Sequence, residues 1–177
     1  EHGACWGVVP AKAWPLLLGH YPEAAQWRPI TVIGLSVAML GVWLMSPARH
    51  RLRLWWACGL VWLPLCLMLM RGVSGWGPVV PSADWGGLPL TLLLFFGSWW
   101  LSVPLALLLA LGRTQRGWVG WLATGTIELV RGVPLITLLF ASVFALPLLL
   151  PAEHTPPLVV RAGLALLLFS AAYMAEV

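Results

Sequence analysis

Ile127-Glu-Leu-Val-Arg-Gly-Val-Pro-Leu-Ile-Thr-Leu-Leu-Phe140 places a carboxylate (Glu128), a guanidinium (Arg131) and a Gly-x-Pro break (Gly132, Pro134) inside a chain of very low polarity. The apolar pattern around it, from Trp118 to Leu150, runs for roughly 33 residues, which as one helix would measure about 50 Å. The hydrocarbon core of a bilayer is only ~30 Å thick. The stretch must therefore break, and Gly132 and Pro134 are where it can. Trp118 to Val130 reads as a partly interfacial helix, and Pro134 to Leu150 as a membrane span.

Composition fixes the class. The chain has 177 residues, of which 60% are hydrophobic and 9% charged, with a mean hydropathy of +0.90. A soluble domain carries about 25% charged residues. So much apolar surface cannot be hidden from water at this size, which indicates an all-α, multi-pass membrane protein with the lipid bilayer as its surroundings. The net charge of +4 is no nucleic-acid footprint, because the ten basic residues are spread along the chain and flank apolar runs. Thirteen Trp fit the same reading, since indoles favour the bilayer interface. The chain begins at Glu1 without Met and ends at Val177 inside an apolar helical pattern, as expected of a fragment.

About five membrane helices are expected. Residues 1–29 carry Pro10, Pro15, Pro22 and Pro29 among Trp6, Trp14, Tyr21 and Trp27, and read as an extracytoplasmic loop with short interfacial pieces on the membrane surface. Two apolar runs follow within 30–71: Ile30 to Met45, then Leu54 to Met70 with Pro64 inside. A compact basic loop, Ser46 to Arg53, joins them. Residues 72–87 form a Gly/Pro-rich loop and the best internal boundary. Leu88 to Leu111 is the clearest span, uncharged throughout, with Pro104 inside and a small face at Ala106 and Ala110. Arg113 and Arg116 mark a short basic turn. After the broken segment and a polar turn at 151–157, Leu158 to Val177 forms the last run, with a small face at Ala171 and Ala175.

Lysine and arginine counts orient the chain. Arg49, Arg51, Arg53, Arg113 and Arg116 crowd two short turns, which should be cytoplasmic; Lys12, Arg28, Arg71 and Arg161 are dispersed on the other side. Glu128 and Arg131 then lie toward the cytoplasmic face.

Several chemistries find no support. Lys12 is the only lysine, so there is no P-loop for ATP. The apolar runs offer no Ser/His/Asp or Cys/His arrangement, and enzyme activity is not expected. Cys5, Cys58 and Cys66, with scattered His2, His20, His50 and His154, give neither metal-ligand spacing nor a disulfide framework. No catalytic, metal or cofactor site is assigned to this chain.

What remains is a small set of polar groups. Glu128 and Arg131 are three apart, so on a helix they face the same way and can pair. The plain reading is an ion pair anchoring a helix end at the interface. The functional reading is that they line or gate a polar path, because ionisable groups at membrane depth are costly and often functional. Glu176, three residues from Tyr173, is a second carboxylate that could face the same path. Thr124, Thr126 and Thr137 are weaker candidates, since hydroxyls in membrane helices usually bond their own backbone.

The quoted stretch closely resembles the second core helix of permease subunits of polar amino acid ABC importers. Gly87 to Gly112 looks like their first core helix, and Ala171-Ala-Tyr-Met-Ala-Glu-Val177 like the third. Tyr21-Pro-Glu-Ala-Ala-Gln-Trp-Arg-Pro29 with two extra apolar runs is similar to the general L-amino acid subgroup. The resemblance implies part of a type I ABC importer permease: two additional helices at 30–71 and the N-terminal part of the permease core at 88–177. It also implies ATPase subunits that bind ATP, a second permease subunit, identical or different, a periplasmic amino-acid-binding protein and a bacterial inner-membrane location. Glu128, Arg131 and Glu176 would then be polar groups near the inner part of the translocation path. An ATP-independent secondary transporter would want inverted repeats or intramembrane ion ligands, and neither is visible. A non-transporting membrane assembly subunit is the other alternative.

Overall fold

A computed structural model describes residues 7–73, 75 and 77–177; the expectations for His2, Cys5 and Trp6 concern positions outside them. Every regular element among the described residues is helical. In order these are α1 (Val8–Leu18), α2 (Trp27–Met45), α3 (Ala48–Arg71), α4 (Gly87–Arg113), α5 (Trp118–Gly132), α6 (Leu135–Phe140), a π-helical segment (Ala141–Ala145), α7 (Leu146–Leu149) and α8 (Leu158–Met174). Single 3₁₀ turns occupy Glu23–Ala25, Ser82–Asp84 and Ala152–His154.

Three helices are long and apolar enough to cross a membrane: α2 with 19 residues, α3 with 24 and α4 with 27. α5 and α6–α7 satisfy the test only together, and they are bent by 106° at their break. Two pieces at that angle cannot both run along the membrane normal. The α8 helix has 17 residues, about 25 Å of rise and shorter than the ~30 Å core. Five spans were expected; the fold supplies three continuous helices, one bent pair and one short apolar helix.

Three local differences from the sequence reading stand out. Residues 1–29 were read as a loop with short pieces, yet α1 is an 11-residue helix with Pro15 inside it. The arginine-rich stretch was read as a loop, yet Arg49, Arg51 and Arg53 lie in the first turns of α3. Pro47 occupies the N-cap position, and arginine is a good helix former, so the connection shrinks to Ser46-Pro47. Likewise α2 starts at Trp27 and takes Pro29 into its first turn, where a missing N–H costs nothing.

The chain separates into two compact units, residues 1–93 and 94–177. In the first, α2 packs on α3. Polar links cross the contact: Trp62 Nε1 donates to Ser36 Oγ at 3.2 Å, Ser36 Oγ donates to the Val32 carbonyl at 2.7 Å, and Arg51 Nη2 donates to the Leu44 carbonyl at 3.4 Å. Val32, Ser36, Trp62, Cys66 and Met70 are all buried.

Arg28 organises the Gly-rich loop of this unit. It is 3% exposed, and its Nη1 donates to the Pro78 carbonyl at 2.7 Å. Gly72 has φ +77 and faces this guanidinium so closely that no side chain fits. Alongside, Tyr21 Oη donates to the Met70 carbonyl at 2.7 Å. Burial pushes the Tyr21 phenol above its ordinary range, against the opposing pull of Arg28, so it remains a donor throughout the physiological range. Replacing Arg28 with alanine leaves the Pro78 carbonyl without its donor and opens a void, at a cost of roughly 3 kcal/mol. The expected result is a clear fall in membrane abundance and melting temperature of the full-length protein. An unchanged melting curve would refute this role.

In the second unit, Ala106 of α4, Ile127 of α5 and Ala171 and Ala175 at the end of α8 form one buried cluster, with Leu105, Leu109, Ala110 and Met174 against it. The small faces of the first core run and the last run meet here. Such faces let helix backbones approach closely where lipid offers no hydrophobic drive.

Candidate functional site

The cluster just described brings three helix ends together and sets their charged groups side by side. Arg113, in the last turn of α4, reaches Glu176 Oε2 with its Nη1 at 2.6 Å. Arg131, in the last turn of α5, reaches the same oxygen at 3.1 Å. Its Cζ also lies 5.6 Å from the centroid of the Tyr173 ring. All three charged side chains are partly exposed, at 44%, 35% and 38% for Arg113, Arg131 and Glu176. One carboxylate therefore serves two guanidinia, and the group carries a formal excess of one positive charge.

Glu128 is not part of it. The three-residue spacing allowed a pair with Arg131, but among the described residues the ion pairs of Arg113 and Arg131 both go to Glu176. The cause lies in how α5 packs. Gly120, Ala123, Ile127 and Val130 face inward, which sends Glu128 to the exposed side with Leu129 and leaves Arg131 on the flank nearest the end of α8. Exposed Trp118 and Trp121 lie on α5 as well, as suits a helix at an interface. Thr126 donates to the Leu122 carbonyl of its own helix.

The break that starts the next segment is local chemistry. α5 ends at Gly132, Val133 is extended (φ −104, ψ 130), and Pro134 is the N-cap of α6. A residue before proline is pushed out of the α region, so Val133 cannot continue the helix.

Arg113 and Arg161 are the polar residues to which sequence reasoning gave no site role. Arg113 was counted only as a topological charge; no periodic signal links it to a carboxylate 63 residues away. Arg161 is, with Glu176, one of two charged residues in the last apolar run, a signal that was available. Its Nη1 donates to the Val143 carbonyl within the π segment. Among the described residues no three His, Cys, Asp or Glu side chains gather to hold a metal ion.

No family model matches the chain, and no solved structure matches it. Two curated relatives do. The inner membrane amino-acid ABC transporter permease protein YhdY of Escherichia coli is 36% identical over 179 residues, covering 99% of this chain and 48% of the relative. The glutamate/glutamine/aspartate/asparagine transport system permease protein BztC of Rhodobacter capsulatus is 38% identical over 180 residues, covering 99% of this chain and 38% of its own length. The chain thus spans about half the length of the first relative and less of the second. Over 99% of its length, the chain is similar to permease proteins of amino-acid ABC transporters.

Proposed function

We propose that the chain is part of a permease subunit that moves amino acids across a bacterial inner membrane, driven by ATP hydrolysis in separate subunits. The observation that carries this reading is the similarity, over 99% of this chain, to two amino-acid ABC permeases. The expected partners are ATPase subunits on the cytoplasmic side, a second permease subunit, and an amino-acid-binding protein on the outer side. Closure of the ATPases would switch the permease pair from inward- to outward-facing, and the binding protein would then release its cargo into the path.

In this scheme the Arg113–Glu176–Arg131 cluster is the inner latch. Its three members come from the ends of α4, α5 and α8, so separating those ends requires breaking its ion pairs. Partial exposure keeps that cost low, since exposed pairs are worth about 1 kcal/mol or less each, and a gate must open repeatedly. Glu128, on the exposed side of α5, would anchor the helix at the interface rather than line the path. Glu128→Ala is expected to leave uptake within about twofold, in line with a surface change.

The test is uptake of a radiolabelled amino-acid mixture by cells carrying the full-length permease, with and without its ATPase. Uptake that requires the ATPase supports the importer. Equal uptake without it supports an ATP-independent transporter, and no uptake in either strain supports an assembly role.

A further inference from the structure

The π segment of the second unit holds a cation, Arg161, that has no carboxylate partner among the described residues. Residues Ala141–Ala145 are π-helical, a geometry that is rare and recurs at functional sites. Pro147 follows, at the start of α7. It lacks the N–H that in a continuous α-helix would reach the carbonyl four residues back, which is that of Val143. Arg161, in the first turns of α8, supplies the missing donor through Nη1. A carbonyl needs a donor, not a charge.

The rest of the guanidinium is unspent. Arg161 Nε is buried and has no hydrogen-bond partner among the described residues, and no carboxylate pairs with this side chain there. The first turn of α8 contains no acidic residue. That turn is also the positive end of the helix dipole, which disfavours a cation and favours an anion. A guanidinium fork presents donors matched to a carboxylate. Along α8, Arg161 stands about 22 Å from the level of Glu176, so it marks the opposite end of the helix from the latch.

We infer that Arg161, held by the Val143 carbonyl, is a binding residue for the α-carboxylate of the transported amino acid, at the end of α8 remote from Arg113, Arg131 and Glu176. The inference rests on the amino-acid importer reading. It names the cation that would receive the cargo on the outer side.

Two substitutions separate charge from support in the full-length permease with its partner subunits. Arg161→Gln keeps a donor for Val143 but removes the charge; Arg161→Lys keeps the charge. Loss of a carboxylate's cationic partner should lower uptake by about tenfold or more in the glutamine variant at normal membrane abundance, with the lysine variant retaining more. Wild-type uptake in Arg161→Gln overturns the inference, as does equal loss in both variants at normal abundance. Should either variant fail to accumulate, thermal unfolding of the wild-type complex decides. The best-transported amino acid, at millimolar concentration, should raise its melting temperature while the corresponding decarboxylated amine does not. Equal shifts, or no shift with either, overturn the inference. If the wild-type complex takes up no amino acid at all, it is the importer reading that fails.

Discussion

Replacing Glu176 with glutamine is expected to cut amino-acid uptake by about tenfold while the protein remains in the membrane at near-normal abundance, because the residue holds a switch rather than a core. The carboxylate is the shared partner of Arg113 and Arg131. Without its charge, two guanidinia face each other across a neutral amide, and their repulsion favours parting of the three helix ends. Losing Arg113 alone should be milder, since Arg131 keeps its contact with Glu176 and with the Tyr173 ring. The exchange of charges in Arg131→Glu with Glu176→Arg rebuilds one pair and should recover part of the uptake lost by Glu176→Arg alone. No recovery in the exchanged protein, or undiminished uptake in Glu176→Gln, would remove the latch from the mechanism.

The second large effect is steric. Ala171→Leu should destabilise the second unit by about 1–3 kcal/mol or more, through overpacking. Ala171 is 0% exposed and lies in the cluster with Ala106, Ile127 and Ala175. A leucine there adds three carbons to a contact that depends on close backbone approach, and it pushes α8 away from α4 and α5. The same displacement would carry Glu176 away from its arginines, so stability and uptake should fall together. Ala171→Gly and Ala171→Ser, which keep the site small, should behave nearly as wild type. Melting curves of the full-length protein in detergent, with uptake in parallel, check both halves. A leucine variant with an unchanged melting temperature would show that the three helices are not closely packed there.

Much of this architecture was legible because hydrophobic length and proline chemistry act locally. Leu88 to Leu111 was read as a span and α4 covers Gly87–Arg113. The excess length of Trp118 to Leu150 demanded a break, and the helix stops at Gly132 and resumes at Leu135. What local pattern does not encode is which helix end meets which. The spacing of Glu128 and Arg131 is compatible with a pair, but the small residues on α5 and α8 decide the rotation of α5. That rotation turns Arg131 toward Glu176 and Glu128 away. Arg113 joins for the same reason, through packing that no periodicity reveals. The basic stretch at Arg49 to Arg53 departs from its loop reading for a different reason: charge density suits a loop, but helix propensity and the preceding Pro47 favour a helix start.

The π segment also bears on how this sequence is to be compared with others. A helix that advances 100° per residue gains an additional residue where five of them, Ala141–Ala145, wind as π. Everything beyond is rotated by roughly that angle relative to an uninterrupted helix from Leu135. A hydrophobic stripe traced from α6 therefore cannot be extended through Leu146–Leu149 in the same phase. Where a relative keeps a plain helix at this place, the two sequences differ by one position inside a helix rather than in a loop. An alignment that moves the gap to the polar turn at 151–157 would assign residues 146–149 to the wrong partners.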